Sequence, residues 1–184
     1  MIAQLAAKSC VVCVDEGYGS AVRDEVRVVD AVRAGRLPQA AELIFEYVAC
    51  TEAEMAHRIP VGPADLPASL RTELGDLRAA YPTPGTVLVA QRATRPIGCV
   101  TLKPTGPTTA EVKRLYVRPG HRGGVGRALM LHLHQHAAAH EVRRLILDVL
   151  TTRRHAIDLY RTLGYTAVDT TSTTPQLLLM ECTL

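Results

Sequence analysis

The chain has no tryptophan and one phenylalanine among its 184 residues, which leaves few rings on which nucleic-acid bases would stack. Neither sign of charge dominates. Lys and Arg number 21 against 18 Asp and Glu, a net charge of +3, too small to argue for binding to a nucleic acid. No apolar run approaches the ~20 residues that a membrane span needs. The five cysteines, Cys10, Cys13, Cys50, Cys99 and Cys182, are odd in number and scattered, which suits a reducing cytoplasm better than a disulfide framework. Cys10 and Cys13 have CxxC spacing, but no second CxxC follows. They read as small apolar residues in an extension over 1–25, whose apolar run 10–14 would pair as an extra edge strand. The amino-terminal end has no long hydrophobic segment leading to a small-residue cleavage site. These features imply a cytoplasmic protein, with one domain over 26–184.

The most informative stretch present is 111–133, EVKRLYVRPGHRGGVGRALMLHL. Val112, Leu115, Tyr116 and Val117 suit a strand, which Pro119 and Gly120 end. Gly123, Gly124 and Gly126 leave backbone N–H groups unshielded. Ala128, Leu129, Met130 and Leu133 then start a helix with an apolar face. Unshielded N–H groups at the positive end of a helix hold phosphate groups, and Arg118, Arg122 and Arg127 add charge. A phosphate-bearing cofactor is the ligand this stretch implies.

The remaining elements follow from periodicity. Strands are expected over 26–32, 86–90, 97–102, 110–117 and 145–150, with strand-forming residues again at Val168 and over 177–182. Helices are expected over 37–57, from Leu66 to before Pro82, after the glycine loop to about His140, and from a Thr151 or Thr152 cap to Leu163, with Gly164 closing it. The order is β-α-α-β-β-β-α-β-α-β-β: an α/β (α+β) chain with a mixed, mostly antiparallel sheet flanked by helices. Residues of the early helices, Glu42, Glu46, Tyr47, Glu52, Glu54 and His57, read either as contacts to a substrate or as solvated helix charges.

These residues in this order resemble the GNAT superfamily of N-acetyltransferases. Three blocks carry the likeness: VRPGHRGGVGRAL (117–129) beside the family's pyrophosphate loop, AIDLYRTLGY (156–165) beside its AxxLYxxxGY helix end, and GCVTL (98–102) with EVKRLYV (111–117) beside its paired central strands. The resemblance implies acetyl-CoA as co-substrate and an amine as acceptor. Leu115, Tyr116 and Val117 would hold the thioester and pantetheine arm, and Arg122, Gly123, Gly124, Val125, Gly126 and Arg127 the pyrophosphate. Two departures stand out. The loop is one residue shorter than usual between Pro119 and Gly126. Arg153 also stands where many relatives carry an Asn near the cofactor, and an Arg there would meet a CoA phosphate.

By the two-residue period, Glu111, Lys113, Leu115 and Val117 share one face of their strand. Glu111 is thus the candidate general base, at a position where some relatives carry one, with an ion pair to Lys113 as its structural alternative. Tyr160, in the helix-end block, is the candidate acid for the departing thiolate. Tyr165 reads as packing. His132, His136 and His140 recur every four residues, yet no further ligand follows their spacing, so no metal is expected. His121 would lie beside a CoA phosphate. Glu42, Glu46 and Glu54 would suit a cationic acceptor, while a small molecule, a peptide or protein terminus and a lysine all remain open. A homodimer is compatible with the family. The rival reading is a non-catalytic acyl-CoA-binding module.

Overall fold

The structure is a computed structural model, and it describes residues 25–168 and 176–184. The expected extension with Cys10 and Cys13, and the threonine-rich turn after Asp169, lie outside the described residues. Seven strands form one sheet in the order β1-β2-β3-β4-β5-β7-β6. They are β1 Val26–Asp30, β2 Thr86–Arg92, β3 Arg95–Pro104, β4 Thr109–Val117, β5 Arg144–Leu150, β6 Thr166–Ala167 and β7 Leu177–Thr183. All neighbours run antiparallel except β4 and β5. The expected mixed, mostly antiparallel sheet is therefore present.

Five helices cover its two faces: α1 Leu37–Glu54, α2 Ala68–Gly75, α3 Leu77–Ala80, α4 Val125–Ala139 and α5 Arg154–Thr162. α1 admits Pro38 because the first turn needs no N–H from it. It buries Ala40, Leu43, Ile44 and Val48, and with Leu77 and Tyr81 packs on Val87, Val89 and Cys99. α4 buries Val125, Leu129, Met130, Leu133 and Ala137 on the opposite face, against Leu88, Val100, Leu102, Val112 and Leu145. Each such side chain contributes roughly 1.5–3 kcal/mol on full burial.

Two boundaries differ from expectation. The single helix expected from Leu66 to before Pro82 is two, because the chain breaks at Asp76, whose side chain accepts from the Ala79 N–H and caps α3. α5 starts at Arg154 without a side-chain cap, and Arg153 rather than a threonine is its cap residue.

Gly98 marks the tightest approach between β3 and β4. A Cβ built there would lie 2.6 Å from the Tyr116 carbonyl oxygen and 3.3 Å from Val117 Cα, and neither backbone atom can rotate aside. Gly98→Ala should destabilise the fold by about 1–3 kcal/mol in denaturant unfolding. An unchanged midpoint would mean that the two strands slide apart at no cost.

Candidate active site

β4 and β5 pair over three residues only, Thr109↔Arg144, Ala110↔Leu145 and Glu111↔Ile146. From Val112 onward the β5-side edge of β4 has no strand beside it. The cause lies in β4 itself. Arg114 has φ 58°, and the β3–β4 register shifts between Cys99 and Thr101, so β4 carries an extra residue there. Such a bulge bends and twists its strand. The carbonyls it displaces are met by side chains: Thr101 Oγ1 donates to Lys113 O at 3.1 Å and Cys99 Sγ approaches Arg114 O at 3.4 Å. Thr101 and Cys99 are fully buried, so the bulge is a packed part of the fold.

The bulge overturns the expected sharing of a face. Leu115 and Val117 pack with Ala110 and Val112 against the α4 side. Tyr116 packs on the α1 side, opposite Cys99 in register. Glu111 and Lys113 precede the extra residue and alternate with Ala110 and Val112, so they lie on the α1 side, opposite Leu115 and Val117. One added residue reverses the parity of everything after it.

The divergence opens a cleft of about 270 Å³ lined by Lys113, Arg114 and Leu115 of β4, Asp148 and Leu150 of β5, Tyr47, Thr51 and Glu52 of α1, and Arg153 and Tyr160 of α5. Tyr160 is 6% exposed, its ring tilted on Tyr165 with centroids 5.6 Å apart. Burial pushes its phenol well above the usual value, and the nearby charge of Asp148 adds to the rise while Arg153 opposes it. The group therefore stays protonated at any physiological pH. Tyr165 is 2% exposed and its hydroxyl meets His134 Nε2 at 3.0 Å, the packing role expected of it.

The carboxylates divide sharply. Lys113 Nζ donates to Glu111 Oε1 at 2.7 Å, the alternative foreseen for Glu111. Glu46 and Glu42 hold Arg118, at 2.6 and 3.2 Å. Glu54 holds Arg153 at 2.7 Å, and Glu52 meets His57 at 2.8 Å. Asp148, exposed and facing the cleft, has no ion pair among the described residues. Sequence reading missed it. Its signal was a lone acidic residue inside the apolar run LILDVL, where a buried strand has no use for one.

At the other end of β4 the glycine loop leads into α4. Gly120, Gly123 and Gly124 all have positive φ, at 82°, 90° and 94°. Two consecutive left-handed residues close the shortened loop, a turn that side-chain-bearing residues resist. Among the described residues, no hydrogen bond reaches the N–H groups from Arg122 to Arg127. A Cβ on Gly126 would lie 3.3 Å from Leu159 of α5, so this glycine lets the two helices close beside the loop. The three arginines do not act together. Arg118 donates to Glu46 and to the Pro96 carbonyl, turned toward α1, whereas Arg127 donates to Thr162 at 3.3 Å. His121 has a buried Nδ1 with no partner. Burial, with Arg95, Arg92 and Arg118, holds its imidazole below the usual range.

Arg153 is not with the loop residues. Its Nε donates to Glu54 at 2.7 Å and its Nη2 to Thr51 at 2.7 Å, which places its charge in the cleft wall against α1. His132 and His140 each bond a carbonyl of their own helix, and His136 bonds the Pro84 carbonyl. Among the described residues no three His, Cys, Asp or Glu side chains are grouped to hold a metal ion.

The site thus combines a mixed sheet split between its two parallel strands with a bare glycine loop leading into a helix. Residues 53–165 match the model of the acetyltransferase (GNAT) family; the chain belongs to that family. It is 34% identical over 96 residues to an uncharacterized N-acetyltransferase of Schizosaccharomyces pombe, a match covering 50% of this chain and 59% of that relative. Among solved structures, an acetyltransferase from Streptococcus agalactiae shares the fold with a TM-score of 0.67 at 16% identity, covering 86% of this chain and 98% of that one. The PaiA N-acetyltransferase from Thermoplasma acidophilum, solved with coenzyme A, has a TM-score of 0.63 at 17% identity, with 87% and 99% covered.

Proposed function

We propose that residues 26–184 act as one acetyltransferase domain that moves an acetyl group from acetyl-CoA to a primary amine. The observation that carries this is the cleft between β4 and β5, with Tyr160 in its wall and the unbonded N–H groups of 122–127 at one end of β4. The coenzyme A in the PaiA structure supports a like ligand here. The residues present fit it: the open edge of β4 from Leu115 through Tyr116 to Val117 suits an extended amide-bearing arm, and Arg122, Gly123, Gly124, Val125, Gly126 and Arg127 suit its pyrophosphate.

Bound acetyl-CoA supplies an activated thioester. The amine nitrogen forms the new C–N bond as the C–S bond breaks. A carboxylate takes the proton the amine loses, and Tyr160 returns one to the departing sulfur, so that an ammonium acceptor yields amide, thiol and one net proton. Asp148 is the favoured base because it faces the cleft without an ion pair, whereas Lys113 engages Glu111. Glu111 acting through water is the second reading. Holding amine and thioester together supplies much of the rate. Buried thiols at Cys99 and Cys182 suit the cytoplasm as its location.

The test is release of free thiol from acetyl-CoA with a panel of amines. Turnover establishes the enzyme; tight acetyl-CoA binding with no turnover leaves the non-catalytic binding module instead. Calorimetry tests the loop separately. Acetyl-pantetheine, which lacks the pyrophosphate, should bind at least roughly tenfold more weakly than acetyl-CoA, since each charge-assisted hydrogen bond is worth roughly 1.5–3 kcal/mol. Equal affinity would remove the loop from the site.

A further inference from the structure

The charges in the cleft wall converge on one ring. Arg114 Cζ lies 5.8 Å and Arg153 Cζ 5.2 Å from the centroid of Tyr47. Arg114 comes from the bulge and Arg153 from the cap of α5, so unrelated parts of the chain deliver the two cations to the same place. Both are largely buried, with side chains 16% and 21% exposed. Each is gripped along one edge. Glu73 accepts from Arg114 Nε at 3.0 Å and Nη2 at 2.8 Å, while Glu54 and Thr51 take Nε and Nη2 of Arg153. Among the described residues, Nη1 of Arg114 has no hydrogen-bond acceptor, while Arg153 also meets the Tyr47 hydroxyl.

A pair of staples joining helices to the sheet would explain the gripped edges. It does not explain why both guanidiniums also line an open cleft beside one ring. Guanidinium is the side chain best shaped to receive a carboxylate, and Arg114 keeps one edge open for it. Asp148, in the same cleft, offers the opposite charge for an ammonium. The cleft, at ~270 Å³, lies just below the usual range for drug-sized ligands of about 300–1,000 Å³. Glu42, Glu46 and Glu54, which suggested a cationic acceptor, are all engaged by Arg118 or Arg153.

We propose that the acceptor is a small α-amino acid or close relative, its carboxylate on the open Nη1 edge of Arg114 beside Arg153 and its amine beside Asp148. The inference rests on the acetyltransferase reading and names its substrate class.

Matched acceptors test it on the unaltered protein: amino acids with acidic, neutral and basic side chains, each with its primary amide and its decarboxylated amine. Thiol release should favour the free carboxylate by roughly 10- to 100-fold in kcat/KM, the worth of one charge-assisted hydrogen bond. Arg153→Gln should remove that preference through KM, Arg153→Lys should keep part of it, and the acetyl-CoA affinity of both should match the unaltered protein. Amides or decarboxylated amines turning over as well as the amino acids would overturn the substrate class while leaving acetyl transfer intact. So would an Arg153→Gln variant that slows all three acceptors equally, which is what a staple predicts. Acetyl-CoA binding with no turnover of any acceptor would overturn both readings together.

Discussion

Tyr160→Phe should lower kcat by about 10²–10⁴-fold, the usual worth of a positioned proton donor, while acetyl-CoA affinity stays within a fewfold. The substitution removes one oxygen from a ring that is 6% exposed and leaves its packing on Tyr165 in place, so loss of fold is not the expected cause. Burial keeps the phenol protonated, so the acid limb of the pH profile should not belong to this tyrosine. Two companion variants divide the base. Asp148→Asn should cost a comparable factor in kcat/KM, and Glu111→Gln much less, because Glu111 is engaged by Lys113 at 2.7 Å. The reverse order would return the base to Glu111. A Tyr160→Phe variant within threefold of the parent would mean that the thiolate leaves without help from this residue.

The second large effect concerns stability. Arg114 and Glu73 form a bidentate pair with side chains 16% and 17% exposed, and the Tyr81 hydroxyl donates to the same carboxylate at 2.7 Å. Arg114→Met would leave Glu73 half-buried without its cation, a loss of about 3–5 kcal/mol. It would also release α2 from the bulge. Replacing both partners with apolar residues of similar size should cost less than the single change, since the isolated charge is then gone.

The pH dependence has a definite sign. Burial alone would raise the Glu73 carboxyl, but the hydrogen bonds from Arg114 and Tyr81 outweigh it and hold the group below the usual carboxylate range. A depressed carboxylate contributes stability that is present above the unfolded value, ~4.3, and is lost as pH falls through the lower folded value. Unfolding free energies should therefore decline below about pH 4.3. In Arg114→Met that decline should flatten or reverse, because a buried carboxyl without its cation gains from protonation. Parallel curves for the two proteins would show that the pair does not couple to folding.

Much of the fold was legible because it rests on local periodicity. The stripe of Leu129, Leu133 and Ala137, the alternation in TVLVA and the closing Gly164 each depend on near neighbours. Gly164 has the positive φ, 89°, that a helix-closing glycine adopts. The loop was legible for the same reason, since glycines permit what other residues resist. Asp76, one more polar residue among Arg71, Thr72, Glu73 and Arg78, hid a break that the spacing of the leucines carried through as one helix.

The site was read less completely, and the missing part traces to Arg114. Nothing in EVKRLYV marks its fourth residue as left-handed, and alternation placed Glu111 with Leu115. The bulge depends on Cys99 and Thr101, whole strands away, to receive the carbonyls it displaces. Arg153 shows the same limit. Its place in the chain suggested a phosphate, while Glu54 and Thr51, about a hundred residues earlier, hold it in the cleft wall.

The sequence by itself determined most strands and helices, the glycine loop and the family, because these follow from the order and spacing of neighbouring residues. Tertiary structure alone decided which face each β4 side chain takes, which carboxylates are already held by cations, and which one, Asp148, is left to meet a ligand. A charge becomes available or engaged only through partners that folding brings to it from elsewhere in the chain.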